Sequence, residues 1–214
     1  MKGILFKPDM IKAIVDGLKS QTRRVIKPQP VNADYWTYHN SGAFYPNTKD
    51  ADPKLIHPRY QVGNVVYIKE AYYAYGFWRQ FTECDKKHWE FFQDDSFGVY
   101  YPDTKPSWKI AKHGFGDVGW YKRSPLFLPE KYARYFIKIT DVRTERLQEI
   151  TEEDAIAEGI LLKAVMTKSS LVVDEPSYVT SYAMLWDFIN KDYQWGSNPF
   201  VWHYEFELNK EARK

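Results

Sequence analysis

The alternation near the end of the sequence constrains the fold more than any other pattern in it. Along residues 201–208 large apolar side chains occupy every second position, at Trp202, Tyr204, Phe206 and Leu208. A β-strand points successive side chains to opposite faces, so this spacing predicts a strand with one apolar and one polar face. Because a strand needs pairing partners, sheet structure is expected to extend to this part of the chain.

Further short strands are predicted along the chain, with a helix after the first strand and another before the last. The predicted strands cover residues 3–6, 22–27, 65–72 and 133–147, the last as a pair of strands or one long bent strand. The predicted helices cover residues 8–18, 151–159 and 178–190, where Thr151 is expected to cap the second. Strict alternation of strand and helix is absent. The pattern therefore predicts an α+β fold, a small closed β-barrel with flanking helices.

Three segments interrupt these elements. Residues 31–60 are rich in Asn, Pro, Tyr and Asp, residues 76–128 show little periodicity, and the third segment covers residues 161–177. Loops of this length are unusual inside a compact domain. We therefore expect a single domain over residues 1–214 that carries three insertions.

Composition leaves two roles open for the aromatic residues. The chain has eight Trp, 17 Tyr and 13 Phe among its 214 residues, and these flat side chains either fill a core or stack on nucleobases. The net charge of +2 does not by itself predict binding to duplex DNA. Residues 1–30 carry a net charge of +5, whereas residues 141–160 carry −5. If the two segments meet in the fold, a pocket between them would present groups of both signs.

The single cysteine, Cys84, excludes an internal disulfide bond and favours a reducing, cytoplasmic location. No run of about 18 apolar residues is present, so no membrane helix and no membrane partner are expected. Cys84, His88 and His113 do not match the spacing of a zinc site, so neither a metal nor another cofactor is expected.

The most concentrated chemistry lies at residues 17–24, where a glycine, a hydroxyl and three cations follow an amphipathic run. Gly17 is expected to end the helix. In a strand that starts near Thr22, Thr22 and Arg24 point to one face and Arg23 to the other, with Lys19 close by. The pattern fits either a basic functional site or a solvated turn between helix and strand.

The segment Gly17-Leu18-Lys19-Ser20-Gln21-Thr22-Arg23-Arg24 resembles the G-x-K-x-x-[ET]-x-R signature of ASCH domains, which belong to the PUA-like β-barrel superfamily. Four further stretches resemble segments of that family, with the last typical of its longer, phage-associated members: residues 63–71, 140–150, 155–160 and 198–202. The resemblance covers most of the chain, but not residues 31–60 or most of 76–128. It implies a PUA-like barrel associated with RNA or modified bases.

Compact ASCH proteins that hydrolyse N4-acetylcytidine use a Lys, a Thr and a Glu. The resemblance places these roles on Lys19, Thr22 and Glu158. A threonine hydroxyl is a weak nucleophile until a base takes its proton, so Lys19 would have to be partly deprotonated. Burial and the nearby Arg23 and Arg24 would both favour that state. The structural alternative is that Lys19 and Glu158 form an ion pair.

Five further residues are candidates for binding a substrate or nucleic acid. Arg23 and Arg24 are two of them, and Arg24 is expected to bind a carbonyl oxygen, a developing oxyanion or a phosphate. Glu70 shares strand parity with residues that are expected to be buried, so it belongs to a pocket or to the core. Trp120 and Trp195 either stack on a base or fill the core.

Three functions follow as hypotheses. The leading one is binding of RNA or a modified nucleoside in a pocket between residues 17–24 and the helix that ends at Glu158. The second is an amidohydrolase that deacylates a modified pyrimidine nucleoside such as N4-acetylcytidine. The third is a non-catalytic adaptor that contacts a protein partner through residues 76–128.

Overall fold

The computed structural model describes residues 1–30, 35–39, 42–47, 55–83, 86–104, 110–111, 117–161 and 177–210. These residues form the strands and helices β1 (Gly3–Leu5), α1 (Pro8–Val15), β2 (Gln21–Val25), β3 (Tyr35–His39), β4 (Ala43–Asn47), β5 (Val65–Lys69), β6 (Tyr72–Glu83), β7 (Lys86–Gln93), β8 (Val99–Tyr100), β9 (Gly119–Arg123), β10 (Phe136–Arg146), α2 (Glu152–Ala157), α3 (Tyr178–Ile189) and β11 (Phe200–Leu208).

The α+β class predicted from the sequence is confirmed: strands predominate and three helices accompany them among the described residues. The strand pairings in this part of the chain do not close into a barrel, so the barrel stays a prediction. None of the described helices combines the length and the apolar character that a membrane crossing requires. Most of the predicted insertion at residues 161–177 lies outside the described residues, as do Cys84 and His113.

The chain divides into two compact units. Unit 1 comprises residues 1–8, 66–136 and 210–214, and unit 2 comprises residues 9–65 and 137–209. In unit 1, β1 pairs with β5 in parallel, while β6 pairs antiparallel with β7, β8 and β9. Tyr72, Ala74, Tyr101 and Leu128 form a buried cluster there. The segment predicted as an aperiodic insertion, 76–128, thus contains paired strands.

Unit 2 is built around β11, which pairs antiparallel with β10 on one side and with β2 on the other. The register matches Arg23 with His203 and Thr22 with Tyr204. β10 is one continuous strand whose register shifts between Ile139 and Asp141, which selects the bent strand from the two alternatives predicted.

The apolar face of β11 is covered by aromatic rings from other segments of unit 2. The Trp202 ring lies 5.2 Å from Phe44 of the β3–β4 hairpin, and the Tyr204 ring lies 5.5 Å from Tyr60. These contacts form the apolar face that the alternation predicted. The hairpin forms within residues 31–60, which were expected to be a long loop.

Helices α2 and α3 pack on a second buried cluster in unit 2, which includes Leu147, Tyr182 and Trp186. Thr151 caps α2 as predicted, because its hydroxyl accepts a hydrogen bond from the Asp154 N–H at 3.1 Å. The Glu152 carboxylate accepts a bond from the Tyr178 N–H at 2.8 Å and so joins the two helices. A separate bond, from the Ser20 N–H to the Ala157 carbonyl, joins α2 to the residue that precedes β2.

Candidate functional site

Lys19 is positioned by the turn that ends α1. Gly17 adopts a φ of 76°, a conformation that glycine reaches without steric cost, and the N–H groups of Leu18 and Lys19 both donate to the Ala13 carbonyl. The next residue, Ser20, donates its N–H to the Ala157 carbonyl of α2 at 2.8 Å. Helix α1, strand β2 and helix α2 are therefore joined at the residue that follows Lys19.

The Lys19 side chain is enclosed and fully bonded. Its Nζ donates to the Gln21 carbonyl at 2.7 Å, to the Glu158 carbonyl at 2.8 Å and to Glu158 Oε2 at 2.5 Å. The two side chains are only 1% and 5% exposed. An ammonium has three N–H donors, so every donor of a charged Lys19 is used. Burial lowers the pKa of Lys19, and the attraction of Glu158 opposes that shift.

Arg23 connects this pair to two further carboxylates. Its side chain is 0% exposed and contacts Glu145 Oε1 at 2.5 Å, Asp154 Oδ2 at 3.0 Å and Glu158 Oε1 at 3.3 Å. Burial alone would lower the pKa of Arg23, but the surrounding carboxylates, with Glu158 first, raise it. A guanidinium offers five N–H donors in a planar fork, which suits contact with several carboxylates.

His203 completes the group from β11. Its Nδ1 lies 3.0 Å from Glu145 Oε2, and the short distance to a carboxylate assigns the Nδ1–H as the donor. Its Nε2 has no hydrogen-bond partner among the described residues and lies 3.8 Å from Glu205 Oε1. We call the following residues the charge cluster: Lys19, Arg23, Glu145, Asp154, Glu158 and His203.

Thr22 and Arg24 lie on the other side of β2. The register pairs Thr22 with Tyr204 and Arg24 with Trp202, the face of β11 that carries aromatic rings. Thr22 is buried, and burial lowers the pKa of Arg24. The structure thus joins Lys19 and Glu158, as the resemblance implies, and adds Arg23 to them. Thr22 belongs to the opposite face of the strand.

The remaining predicted residues lie elsewhere. Glu70 belongs to unit 1, where its carboxylate binds the Arg134 guanidinium at 2.7 and 3.1 Å. Trp120, also in unit 1, packs against the rings of Tyr75 and Tyr100. Trp195 packs against Tyr182 in unit 2. Glu70 therefore has an ion-pair partner, and both Trp side chains are packed among other rings.

Sequence reasoning missed Glu145, Asp154 and His203. Strand parity placed His203 on the polar face of β11, and that was the available signal, because a His on the polar face of a strand between buried neighbours usually needs a partner. Within the described part of the chain, no group of three or more His, Cys, Asp or Glu side chains is arranged to hold a metal ion.

A cavity of about 610 Å³ opens in unit 2 beside the charge cluster. Its lining includes the rings of Tyr38 and Phe44, the Gln61 amide, and Asp141 and Arg143 of β10. Gly42 also lines it, and its φ of 77° is a conformation that glycine adopts without steric cost. The cavity therefore combines aromatic walls with groups that donate and accept hydrogen bonds.

The cavity is connected to the charge cluster through Arg143. Its guanidinium contacts Glu205 at 2.8 Å, Asp141 at 3.2 Å and Glu145 at 3.5 Å. Glu145 in turn binds Arg23, which contacts Glu158. A continuous series of ion pairs thus leads from the wall of the cavity to Lys19. Neither Lys19, Thr22 nor Glu158 lines the cavity itself.

Glu145 predicts how the stability of the protein responds to acid. Burial alone would raise its pKa, but the bond from His203 and the charge of Arg23 lower the pKa of Glu145 to about 2, below the usual 4.5. Because its pKa is lowered in the folded protein, Glu145 contributes stability at pH values above about 4.5, and this contribution is lost as the pH falls toward 2. We expect Glu145 to contribute about 2 kcal/mol, allowing for partial solvent screening. Urea unfolding between pH 6 and pH 2 measures this loss.

The variant Glu145→Gln should show a flatter stability profile than the unmodified protein between pH 4.5 and pH 2, because its side chain does not titrate. Glu207→Gln is the matched control, since Glu207 lies on β11, is 63% exposed and is 3.9 Å from its basic partner. Its profile should match that of the unmodified protein. Equal profiles for Glu145→Gln and the unmodified protein would contradict the prediction.

Comparison of the chain with protein-family models, with curated proteins and with solved structures finds no match. The candidate site therefore rests on its own geometry and on the sequence motifs.

Proposed function

We propose that the chain is an ASCH-like domain of the PUA-like barrel type that binds a nucleoside, or an unpaired base of RNA, in the cavity of unit 2. The single observation that carries this proposal is the cavity itself, in which aromatic rings lie beside hydrogen-bonding groups of both kinds. Its volume of about 610 Å³ falls within the range typical of small-molecule sites. A nucleobase has a flat apolar face and a polar edge, so it complements both parts of this lining.

The ring of Tyr38 provides the stacking surface in this proposal. Its side chain is 61% exposed, and its ring lies 5.2 Å from the buried ring of Phe44 in an edge-to-face contact. The polar edge of the base would meet the Asp141 carboxylate as acceptor and the Arg143 guanidinium as donor. The motif residues contribute indirectly, since the ion pairs through Glu145 hold Arg143 in position.

We expect Tyr38→Ala to weaken binding of a nucleoside about tenfold or more, because stacking of a base on an aromatic ring contributes about 1–3 kcal/mol. Isothermal titration with cytidine, N4-acetylcytidine, uridine and adenosine, and with short single-stranded RNA, measures this effect. Phe188→Ala is the control, since Phe188 is 66% exposed on α3 and does not line the cavity. It should bind as the unmodified protein does.

The salt dependence of binding separates the two ligand classes. Binding of RNA should weaken steeply as salt rises, whereas binding of an uncharged nucleoside should change little. Absence of binding to every probe at millimolar concentration would contradict the proposal. So would equal affinities of the Tyr38→Ala and unmodified proteins.

A second candidate function is hydrolysis of the amide bond of N4-acetylcytidine by Lys19, Thr22 and Glu158. The observation in its favour is that burial lowers the pKa of Lys19, the direction that a proton acceptor requires. A neutral amine donates only two hydrogen bonds, so one of the three acceptors around Nζ would lose its bond. Mass spectrometry of the N4-acetylcytidine incubation tests this candidate: cytidine should form with the unmodified protein and not with Thr22→Val.

A further inference from the structure

Asp141 and Arg143 provide the charged groups of the cavity in unit 2, and the bonds that they already make determine what a ligand can use. Both residues line the cavity, and their side chains are 46% and 43% exposed. They are two positions apart on β10, so the strand presents them on one face. Arg143 Nη1 donates to Asp141 Oδ2 at 3.2 Å, which holds the carboxylate and the guanidinium side by side.

The guanidinium of Arg143 has one nitrogen left for a ligand. Its Nη1 donates to Asp141 at 3.2 Å and to Glu205 at 2.8 Å, and its Nε donates to Glu145 at 3.5 Å. Nη2 makes no hydrogen bond to any residue that the structure describes. Arginine binds a pair of acceptors through a fork of two nitrogens, and both forks of Arg143 include a nitrogen that is already used. Arg143 can therefore meet one acceptor of a ligand through Nη2.

The carboxylate of Asp141 keeps most of its capacity to accept hydrogen bonds. Its two oxygens together have about four lone-pair sites. Oδ2 accepts from Arg143, and Oδ1 accepts from no residue within the described ranges of the chain. Two adjacent donors of a ligand can therefore bind the two oxygens at once. The Gln61 amide, which also lines the cavity, carries donors and an acceptor and can turn to suit either, so it does not select a ligand.

The common bases differ in the donors and acceptors along the edge that pairs in a duplex. Guanine presents the acceptor O6 followed by two adjacent donors, N1–H and the 2-amino group. Cytosine presents the reverse, one donor followed by two acceptors. Adenine offers one donor and one acceptor, and uracil has one donor between two acceptors. Guanine is therefore the base that gives a carboxylate two adjacent donors and asks the guanidinium for a single bond.

We infer that the cavity selects guanine among the bases. Asp141 accepts from N1–H through Oδ2 and from the 2-amino group through Oδ1, while Arg143 Nη2 donates to O6. The inference rests on the proposed function, because the base stacks on the ring of Tyr38 in the same cavity. Guanosine should bind at least about tenfold more tightly than cytidine, adenosine or uridine, since a two-bond contact to a base edge discriminates by about this factor.

Isothermal titration of the full chain with these four nucleosides, and with inosine and xanthosine, tests the inference. Inosine differs from guanosine only in lacking the 2-amino group, so it should bind about fivefold or more weakly than guanosine. Xanthosine carries a carbonyl at the same position, which would face the Asp141 carboxylate. Two acceptors then meet without a proton between them, so xanthosine should bind more weakly than inosine.

The variant Asp141→Asn should reverse the preference between guanosine and xanthosine. An Asn amide has one acceptor and one donor side by side, which complement the N1–H and the neighbouring carbonyl of xanthine. Glu205→Gln is the matched control, because Glu205 also binds Arg143, at 2.8 Å, but does not line the cavity. The control loses an ion pair of Arg143 as Asp141→Asn does, and it should still prefer guanosine.

The outcomes separate this inference from the proposed function. If cytidine, adenosine or uridine binds as tightly as guanosine, the inference is overturned and the proposed function stands. Asp141→Asn that still prefers guanosine to xanthosine, or Glu205→Gln that loses this preference, would likewise overturn the inference alone. If no nucleoside binds, the proposed function fails, and the inference fails with it.

Discussion

Replacement of Arg23 by Met should destabilise the protein by about 5 kcal/mol, more than any other single substitution in the charge cluster. The Arg23 side chain is fully buried and contacts Glu145, Asp154 and Glu158. Without the guanidinium, three largely buried carboxylates lose the cation that they share, while Lys19 contacts only Glu158 and Arg143 contacts only Glu145 among the three in the described part of the chain. Because small domains have a total stability of about 5–15 kcal/mol, we expect partial unfolding under ordinary conditions. Urea unfolding, followed by circular dichroism, measures the change.

Arg143→Met is the matched control for this prediction. Arg143 also contacts three carboxylates, at 2.8–3.5 Å, but its side chain is 43% exposed. Water can solvate those carboxylates after the substitution, so the loss should be about 1 kcal/mol or less. If the two variants lose equal stability, burial does not determine how much stability an arginine contributes through its carboxylate contacts, and the prediction is wrong.

Replacement of Lys19 by Met should cost about 3–5 kcal/mol, because it removes the 2.5 Å ion pair of the buried Glu158 carboxylate and leaves it the longer contact to Arg23 at 3.3 Å. Lys12→Met is the control. Lys12 and Asp16 are the same distance apart as Lys19 and Glu158, 2.5 Å, but that pair is on the surface. We expect no measurable loss for Lys12→Met. The midpoints of urea unfolding give both values.

The double variant Lys19→Met with Glu158→Gln shows whether the unpaired charge is responsible. A neutral amide at position 158 removes the uncompensated carboxylate, so the double variant should be more stable than Lys19→Met alone. If the double variant is as unstable as the single one or less stable, the loss arises from the packing of the lysine stem instead.

Local sequence patterns predicted the elements that depend on neighbouring residues. The two faces of β11, the cap at Thr151 and the end of α1 near Gly17 were all predicted, because side-chain periodicity and backbone preference act over a few residues. The hairpin β3–β4 and the ribbon β6–β7 were not predicted. In β6 aromatic residues occupy both faces, so no alternation marks it as a strand. Its rings are held by partners across the ribbon, such as Phe92 opposite Phe77.

The residues of the candidate site were likewise predicted only in part from the sequence. The motif resemblance implied that Lys19 and Glu158 lie together, and the structure places their side chains 2.5 Å apart. Their catalytic role stays a prediction. The partners Glu145 and His203 could not be derived from the sequence, since they lie 122 and 180 residues from Arg23. Nothing in the local pattern around Arg23 encodes a contact over that separation.

The adjacent residues Arg23 and Arg24 show what the sequence determined by itself and what only the tertiary structure decided. The sequence determined that a strand would point them to opposite faces, because the side-chain period of a strand is two. It could not determine which face would receive the carboxylates. The register of β2 against β11 and the position of α2 decided that, and they place Glu145, Asp154 and Glu158 around Arg23. A buried charge needs partners within a few ångströms, and only the folded chain brings residues from such distant positions that close.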